Sequence, residues 1–225
     1  MAWGLNARQI KIVACISMMF SHIGFIFWPW QLWWQIPGRI AFPLFAFMIA
    51  NGAQHSGNVW KYLARLLIFA ALIQYPYSIF LANNYLNICF TLGLGLAAIV
   101  AWRSSLQLPL RLAALLAACL AAQWLHTEYG WYGILMIISA HIFYEDRRKV
   151  AACWTLLNLP LLWNTLSALL NHDPYPPVQS LCLLAIPFLL LYNGRRGGGS
   201  RWEFYIFYIG HLALLYMLRL VLWGY

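Results

Sequence analysis

The sequence is poor in charged residues, and acidic residues are the scarcest of them. Only 5 of its 225 residues are Asp or Glu, charged residues make up 8% and hydrophobic residues make up 64%. Soluble domains carry about 25% charged residues, so a water-soluble fold of this length could not cover its own surface. With a mean hydropathy of +0.69, the chain is therefore predicted to have the lipid bilayer as its solvent.

Several kinds of catalytic site are also missing from the sequence. No pair of acidic residues suits glycosidase chemistry, and neither a G-x-S-x-G motif nor a Ser/His/Asp order is present. The cysteines stand singly in apolar runs, without C-x-x-C or Cys/His spacing, so they are interpreted as buried apolar residues and no metal is expected. They are Cys15, Cys89, Cys119, Cys153 and Cys182.

Long apolar runs predict an all-α, polytopic membrane bundle of about nine transmembrane helices, organised as a single domain over residues 1–225. A spanning helix needs about 20 mostly apolar residues. No cleavable signal peptide is expected, because the first run is long and no A-x-A site follows it. Pro43, Pro76, Pro160 and Pro187 lie inside these runs and predict local kinks. The predicted spans are 10–28, 39–54, 60–82, 86–102, 107–125, 130–145, 149–170, 177–193 and 203–223.

The basic residues give the predicted bundle a direction. If the N-terminus is cytoplasmic, 12 of the 14 Lys and Arg residues fall in inner loops or at inner helix ends, and only Arg39 and Arg219 fall toward the outside. This segregation follows the positive-inside rule and predicts an N-in, C-out topology. It also accounts for the net charge of +9 without a nucleic-acid partner. The inner residues are Arg8, Lys11, Lys61, Arg65, Arg103, Arg111, Arg147, Arg148, Lys149, Arg195, Arg196 and Arg201.

The two sides of the predicted membrane differ in their loops. The first outer loop is crowded with tryptophan, including Trp28 and Trp30, which is typical of an interfacial belt; an acceptor-binding site is the alternative. On the inner side, residues 194–201 read GRRGGGSR. Glycine-rich backbone beside Arg195 and Arg196 can bind phosphates, and the alternative is that these arginines only follow the positive-inside rule.

Histidines at membrane depth are the first candidates for function, because ionisable groups are costly there. His22 lies eleven residues beyond Lys11, about 16 Å along a helix. His211 lies ten residues beyond Arg201, so both histidines are predicted near mid-membrane, where they could share one cavity. A neutral His22 would serve as a general base. The alternative is a histidine that only hydrogen-bonds to a neighbouring helix.

Arg39 opens the second predicted helix at its outer end. Because its guanidinium is always charged, it must find an acceptor. It could hold a carboxylate or a carbonyl oxygen of a substrate. The alternative is a structural pair with Glu128 or with outer backbone carbonyls.

A series of short motifs resembles the TraX family of membrane acetylases, in the same order and over nearly the whole chain. Ser21-His22-Ile23-Gly24 resembles the family's histidine motif, in which an aspartate usually stands where this chain has Ser21. Ile209 likewise stands where the closing motif usually has proline. The other matching segments are residues 38–45 (GRIAFPLF), Lys61-Tyr62 with Arg65-Leu66, residues 87–92 (NICFTL), residues 128–133 (EYGWYG), residues 192–197 (YNGRRG) and residues 204–212 (FYIFYIGHL).

This resemblance implies a function. The founding member of the family is associated with N-terminal acetylation of conjugative pilin. The family is also distantly similar to acyltransferase-3 enzymes, which pass acetyl groups from cytoplasmic acetyl-CoA across the membrane with an essential intramembrane histidine. We therefore expect a multi-pass acetyltransferase of the bacterial inner membrane, with acetyl-CoA as donor and a pilin N-terminus or a surface glycan as acceptor. The implied residues are His22, Arg39, Tyr208 and His211 for catalysis, Arg195, Arg196, Lys61 and Arg65 for the donor, and Asn87, Glu128 and Tyr129 for the substrate.

Two other functions remain open at this point. The chain could be a non-enzymatic membrane factor for pilin or fimbrial assembly, binding subunits through its aromatic outer loops. It could also be a small transporter in which His22 and His211 relay protons, although no inverted repeat supports that reading.

Overall fold

A computed structural model of the chain describes residues 4–81, 84–200 and 202–224. Arg201, one of the predicted inner basic residues, and residue 82, the predicted end of the third span, lie outside the described residues. Within them the chain is helical, and its β contacts are two isolated bridges, Leu5 with Tyr192 and Leu86 with Thr127.

The helices follow the predicted apolar runs along the chain. In the described residues they are α1 (Ala7–Phe27), α2 (Leu32–Gly38), α3 (Ala41–His55), α4 (Val59–Leu81), α5 (Ile88–Trp102), α6 (Leu108–Trp124), α7 (Gly130–Ile142), α8 (Arg147–Leu170), a 3₁₀ helix (Gln179–Ala185), α9 (Ile186–Leu190) and α10 (Glu203–Trp223).

Among the described residues, five helical segments are long and apolar enough to cross a membrane. They are Ala7–Phe27, Leu32–His55, Val59–Leu81, Arg147–Leu170 and Glu203–Trp223. The other four predicted spans correspond to shorter apolar helices of 10–17 residues. A helical membrane protein is thus supported by length and composition, whereas nine crossings and their orientation stay predictions.

The second predicted span, 39–54, starts in the wrong place. The chain first forms the short helix α2, turns at Arg39 and Ile40, and only then enters α3. Pro43 explains the interruption, because it has no N–H to donate to the carbonyl of Arg39 and its ring clashes with that carbonyl in a continuous helix. In the first turn of α3 the same missing N–H costs nothing. Arg39 therefore lies at a break between two helices instead of opening one.

The eighth predicted span, 177–193, does not form one continuous α-helix. It consists of the 3₁₀ helix followed by α9, in which Pro187 occupies the first turn. Pro187 has no N–H to donate to the carbonyl of Leu183, four residues earlier, and that carbonyl instead accepts from the backbone amide of Ile186. The α-helical hydrogen-bond pattern therefore begins only after the 3₁₀ helix. Pro76 and Pro160, by contrast, lie inside α4 and α8 as predicted.

The chain divides into two compact units. The first comprises residues 1–45 and 151–225. In it, α1 and α10 pair in parallel, with Arg8 bonded to Glu203 at one end and the rings of Phe27 and Trp223 5.3 Å apart at the other.

The second unit comprises residues 46–150. Here α5 is the central helix, in contact with α4, α6 and α7. Gly95 on α5 allows the close approach of α7, since a Cβ atom at this position would lie 2.4 Å from Cδ1 of Ile137. The tight packing leaves α5 largely buried.

Candidate functional site

The two histidines predicted at membrane depth meet in the first unit. His22 of α1 and His211 of α10 are joined by a 2.7 Å contact between Nδ1 of His22 and Nε2 of His211. Their rings are almost coplanar, at 4°, with centroids 5.0 Å apart. This is the geometry of a hydrogen bond in the ring plane, because stacked rings would not bring two edge nitrogens so close.

The partners of His211 fix the direction of this hydrogen bond. Nδ1 of His211 lies 2.8 Å from the backbone oxygen of Phe207. A carbonyl oxygen can only accept, so Nδ1 of His211 carries the proton, and Nε2 of neutral His211 is left as an acceptor. Nδ1 of His22 must then donate to it. The unprotonated nitrogen of neutral His22 is therefore Nε2.

Nε2 of His22 is available for chemistry. It has no hydrogen-bond partner in the part of the chain that the structure describes, and it is not among the buried unpartnered atoms. His22 as a whole is half-buried, whereas His211 is buried, with 5% of its surface exposed. One histidine thus presents a basic lone pair and the other holds it in place.

Aromatic rings hold His211 on two sides. Phe207 stacks on it at a centroid distance of 4.9 Å, and Tyr208 contacts it edge-on at 5.7 Å. Phe207 precedes His211 by one helical turn, so the residue that stacks on the ring also supplies the carbonyl that fixes its tautomer. Tyr208, predicted to be catalytic, contacts His211 in the site.

The close contact of α2 with α1 brings the backbone of Arg39 near that of His22. Gly38 lies against Ser21, so that a Cβ atom on Gly38 would stand 2.3 Å from the Cβ atom of Ser21 and 3.1 Å from its Cα atom. Consecutive Cα atoms are about 3.8 Å apart, which places the Cα atoms of Arg39 and His22 within ~12 Å of each other. Arg39 is thus level with the histidines along α1.

The guanidinium of Arg39 bonds to two side-chain amides. Nη1 donates to Oε1 of Gln179 over 3.0 Å, and Nη2 donates to Oε1 of Gln35 over 2.9 Å. Gln35 lies one turn before Arg39, and Gln179 begins the 3₁₀ helix. Sequence reasoning missed both glutamines, although the spacing of Gln35 four residues before Arg39 could have indicated one of them.

The glycine-rich loop closes over the N-terminal ends of α1 and α10. Backbone amides of Ala7 and Arg8 donate to the carbonyls of Arg195 and Arg196 over 2.8 and 3.2 Å. Glu203 accepts from the backbone amide of Ser200 over 2.9 Å and from Nε of Arg8 over 3.2 Å. The carbonyls of the loop thus accept hydrogen bonds from the free backbone amides at the start of α1. The side chains of Arg195 and Arg196 are exposed.

The other predicted donor-binding residues belong to the second unit. Lys61 is exposed in the first turn of α4, where its backbone amide is capped by Oδ1 of Asn58 over 2.9 Å. The guanidinium of Arg65 lies over the Tyr62 ring, 5.4 Å from its centroid. Their role in donor binding stays a prediction.

The predicted substrate residues also lie in the second unit. Asn87 is fully buried and caps α5: its amide nitrogen donates to the Ala70 carbonyl over 2.9 Å and its Oδ1 accepts from the amide of Cys89 over 3.0 Å. Glu128 accepts from the hydroxyl of Tyr77 over 3.3 Å. These bonds give Asn87 a structural part in the bundle, and substrate binding by any of the three residues stays a prediction. The third, Tyr129, precedes α7 as its N-cap residue.

Comparison with known proteins identifies the family. The family model described as TraX protein matches residues 6–219. The chain belongs to the TraX family. This match includes both histidines, the α2–α3 break and the glycine-rich loop.

Two relatives span almost the same length as this TraX family chain. A protein named probable fimbrial assembly protein FimC, serogroup H1, from Dichelobacter nodosus is 30% identical over 93% of this chain and 94% of its own. Protein TraX of Escherichia coli is 29% identical over 98% of this chain and 90% of its own. No solved structure gives a significant match. The name of the first relative connects that protein with fimbrial assembly.

Proposed function

We propose that this protein is a membrane acetyltransferase that moves an acetyl group from cytoplasmic acetyl-CoA to an acceptor in the membrane or the periplasm, a pilin N-terminus or a surface glycan. The observation that carries the proposal is the hydrogen-bonded pair of His22 and His211. It leaves Nε2 of His22 with a free lone pair and holds the ring in one tautomer.

The first step is proton removal from the acceptor. As the amine or hydroxyl of the acceptor attacks the thioester carbonyl carbon, His22 takes its proton on Nε2. The positive charge that forms on His22 is shared through Nδ1 with His211, whose other nitrogen is bonded to the Phe207 carbonyl. His211 thus does for His22 what a carboxylate does in the familiar catalytic triads: it orients the base and stabilises its charged form.

The second step is collapse of the tetrahedral intermediate. Arg39, Tyr208 or His211 stabilises its oxyanion or orients the acceptor. When the carbon–sulfur bond breaks, the sulfur leaves with the bonding electrons and takes the proton from Nε2 of His22. The products are the acetylated acceptor and free CoA, and His22 returns to its neutral form.

The departure from the family motif at Ser21 is explained within this proposal. The aspartate usual at this position would place a charged group beside His22. Here Ser21 instead packs against Gly38, and His211 supplies the hydrogen-bond acceptor for Nδ1 of His22. A small residue at 21 allows the approach of α2 that brings Arg39 to the site.

Donor binding is proposed at the ends of α1 and α10. The exposed side chains of Arg195 and Arg196 offer charge-assisted hydrogen bonds to phosphates. Along α1, His22 is about 16 Å beyond Lys11, so a donor anchored at this end must extend its thioester arm toward the histidines.

The decisive experiment is acetyl transfer with labelled acetyl-CoA in membranes that contain either the wild-type protein or His22→Ala. We expect transfer to be lost in the variant while membrane insertion is unchanged. His172→Ala, in an exposed loop position, is the matched control and should retain full transfer. Undiminished transfer in His22→Ala would disprove the proposed role.

A non-enzymatic role in fimbrial assembly is the second candidate, because the Dichelobacter nodosus relative is named as a probable fimbrial assembly protein. That function predicts that the His22→Ala variant still supports pilus assembly. It also predicts that neither the wild-type protein nor the variant binds acetyl-CoA. Pilus assembly in a deletion strain complemented with each version separates the two functions.

A further inference from the structure

Arg39 and Gln179 leave two buried N–H donors without an acceptor. Nη1 and Nη2 of Arg39 are bonded to amide oxygens, but Nε of Arg39 and Nε2 of Gln179 are buried and have no hydrogen-bond partner in residues 4–81, 84–200 and 202–224. Buried polar groups are nearly always paired, and an unpaired one is costly. The two donors belong to side chains that are bonded to each other.

The same two side chains also lack negative charge around them. The partners of Arg39 are amide oxygens, and no carboxylate lies within ion-pair distance of it in the described part of the chain. A guanidinium cannot give up its proton, and a half-buried cation without a counter-charge is expensive in a membrane protein. The missing acceptor is therefore an anion.

A transient oxyanion does not meet this requirement. The tetrahedral intermediate of acyl transfer carries its charge only during turnover, whereas Arg39 is charged at all times. Arg39 therefore needs an anionic group that is present before the reaction begins. This group either stays bound between turnovers or arrives as part of a substrate.

The position of the cluster favours a carboxylate over a lipid phosphate. Gly38 packs at the level of Ser21, six residues and about 9 Å before the end of α1 at Phe27. The exposed aromatic pair Trp30 and Tyr175, 6.2 Å apart, marks the end of the unit where interfacial aromatics meet lipid headgroups. A headgroup phosphate would stay at that level, whereas a carboxylate on an entering molecule can reach Arg39.

We propose that Arg39 and Gln179 form a binding site for a carboxylate group of a ligand that enters from the end of the first unit that carries Trp30 and Tyr175. The carboxylate accepts hydrogen bonds from Nε of Arg39 and Nε2 of Gln179 and balances the guanidinium charge. The inference rests on the proposed function in one respect, that this ligand is the acyl acceptor. The acceptor is then an acidic compound. Binding itself needs no acyl donor.

The test is thermal unfolding of the full-length protein in phosphatidylcholine nanodiscs, with sodium acetate compared with sodium chloride at equal ionic strength. We expect acetate to raise Tm in the wild type, since a ligand that binds the native state stabilises it. Its apparent Kd should weaken at least tenfold in Arg39→Gln and partly in Arg39→Lys, which keeps the charge but not the planar fork of donors. Arg148→Gln, an exposed position, should respond like the wild type.

A second variant guards against a folding defect in Arg39→Gln. Gln179→Glu has the same shape and places a carboxylate beside Arg39. We expect it to raise Tm without acetate and to abolish the response to acetate, because the internal carboxylate then fills the role of the ligand. A response to acetate as large as that of the wild type would overturn the proposal.

The source of the anion is settled by a third arm, in which phosphatidylglycerol replaces part of the phosphatidylcholine. Stabilisation by this lipid without any by acetate would assign the site to a headgroup phosphate and overturn the proposal. An effect of acetate no larger than that of chloride in both lipids would also overturn it. No thioester is present in these measurements, so a negative result leaves His22-dependent transfer to its own assay.

Discussion

Gly38 and Ser21 approach each other so closely that no other residue type fits at position 38 without movement: a Cβ atom there would stand 2.3 Å from the Cβ atom of Ser21. This contact joins α2 to α1 one residue away from both Arg39 and His22. The distance between the arginine and the histidine therefore depends on a glycine.

Gly38→Ala tests this dependence. The added methyl group overlaps Ser21, and overpacking of this kind costs about 1–3 kcal/mol. We expect lower thermal stability and a loss of acetyl transfer larger than the stability change explains, because Arg39 is displaced. The matched control is Gly210→Ala, whose added methyl group meets nothing within 4 Å and should leave both properties intact. A fully active Gly38→Ala protein would show that the spacing is unimportant.

His211→Ala tests the fixed tautomer of His22. Without Nε2 of His211 as hydrogen-bond acceptor, the proton of His22 can occupy either ring nitrogen. The ring of His22 can then also rotate. We expect the rate of acetyl transfer in a single turnover to fall by about 10- to 100-fold, a part of the ~10²–10⁴-fold typical of general-base catalysis. His211→Gln, whose side-chain oxygen can accept the same bond, should recover part of the rate. Equal rates in both variants would argue that His211 does not orient His22.

Arg195→Gln and Arg196→Gln test donor binding at the loop. We expect each to raise KM for acetyl-CoA severalfold, since a charge-assisted bond to phosphate is lost, with kcat little changed. A short acetyl thioester without phosphates should be used equally by the wild type and both variants. Arg148→Gln is the control for a change in overall charge. If KM for acetyl-CoA does not move, the donor phosphates bind elsewhere.

Gly199→Ala tests the shape of the same loop. Gly199 has φ +101°, a conformation that other residues rarely adopt, and a Cβ atom there would lie 2.6 Å from Nε of Arg8. We expect destabilisation of about 1–3 kcal/mol and separation of Arg8 from Glu203. Gly198→Ala is the adjacent control, with nothing within 4 Å of its added methyl group. Chemical denaturation in detergent measures the free energy of unfolding of both variants. Equal stabilities of Gly199→Ala and Gly198→Ala would contradict the expectation.

The helical segments were predictable because apolar runs are long and prolines and charges mark their ends. The break at Arg39 was not predictable. Residues 32–38 are rich in tryptophan and resemble an interfacial loop, and the effect of Pro43 depends on where the helix begins. The partial 3₁₀ form of residues 179–185 was missed for a similar reason: hydropathy records burial in lipid but not the hydrogen-bond pattern of the backbone.

The site was predictable only in part. Depth along two helices indicated that His22 and His211 could meet, but whether they face each other depends on the rotation of α1 against α10. Of the partners of Arg39, Gln179 was not predictable, because it is 140 residues away and its position follows from the turn before the 3₁₀ helix. The family motifs marked His22 and Arg39 without showing what each would contact.

The bond between His22 and His211 joins residues 189 positions apart, and the contact of Leu5 with Tyr192 and the pair of Arg8 with Glu203 cross a similar interval. During synthesis α1 emerges long before α10, so a nascent chain holds His22 without its partner for most of its translation. The base acquires its fixed tautomer only when α10 has been inserted beside α1. A prematurely terminated product that lacks α10 would therefore carry His22 without the residue that fixes its tautomer.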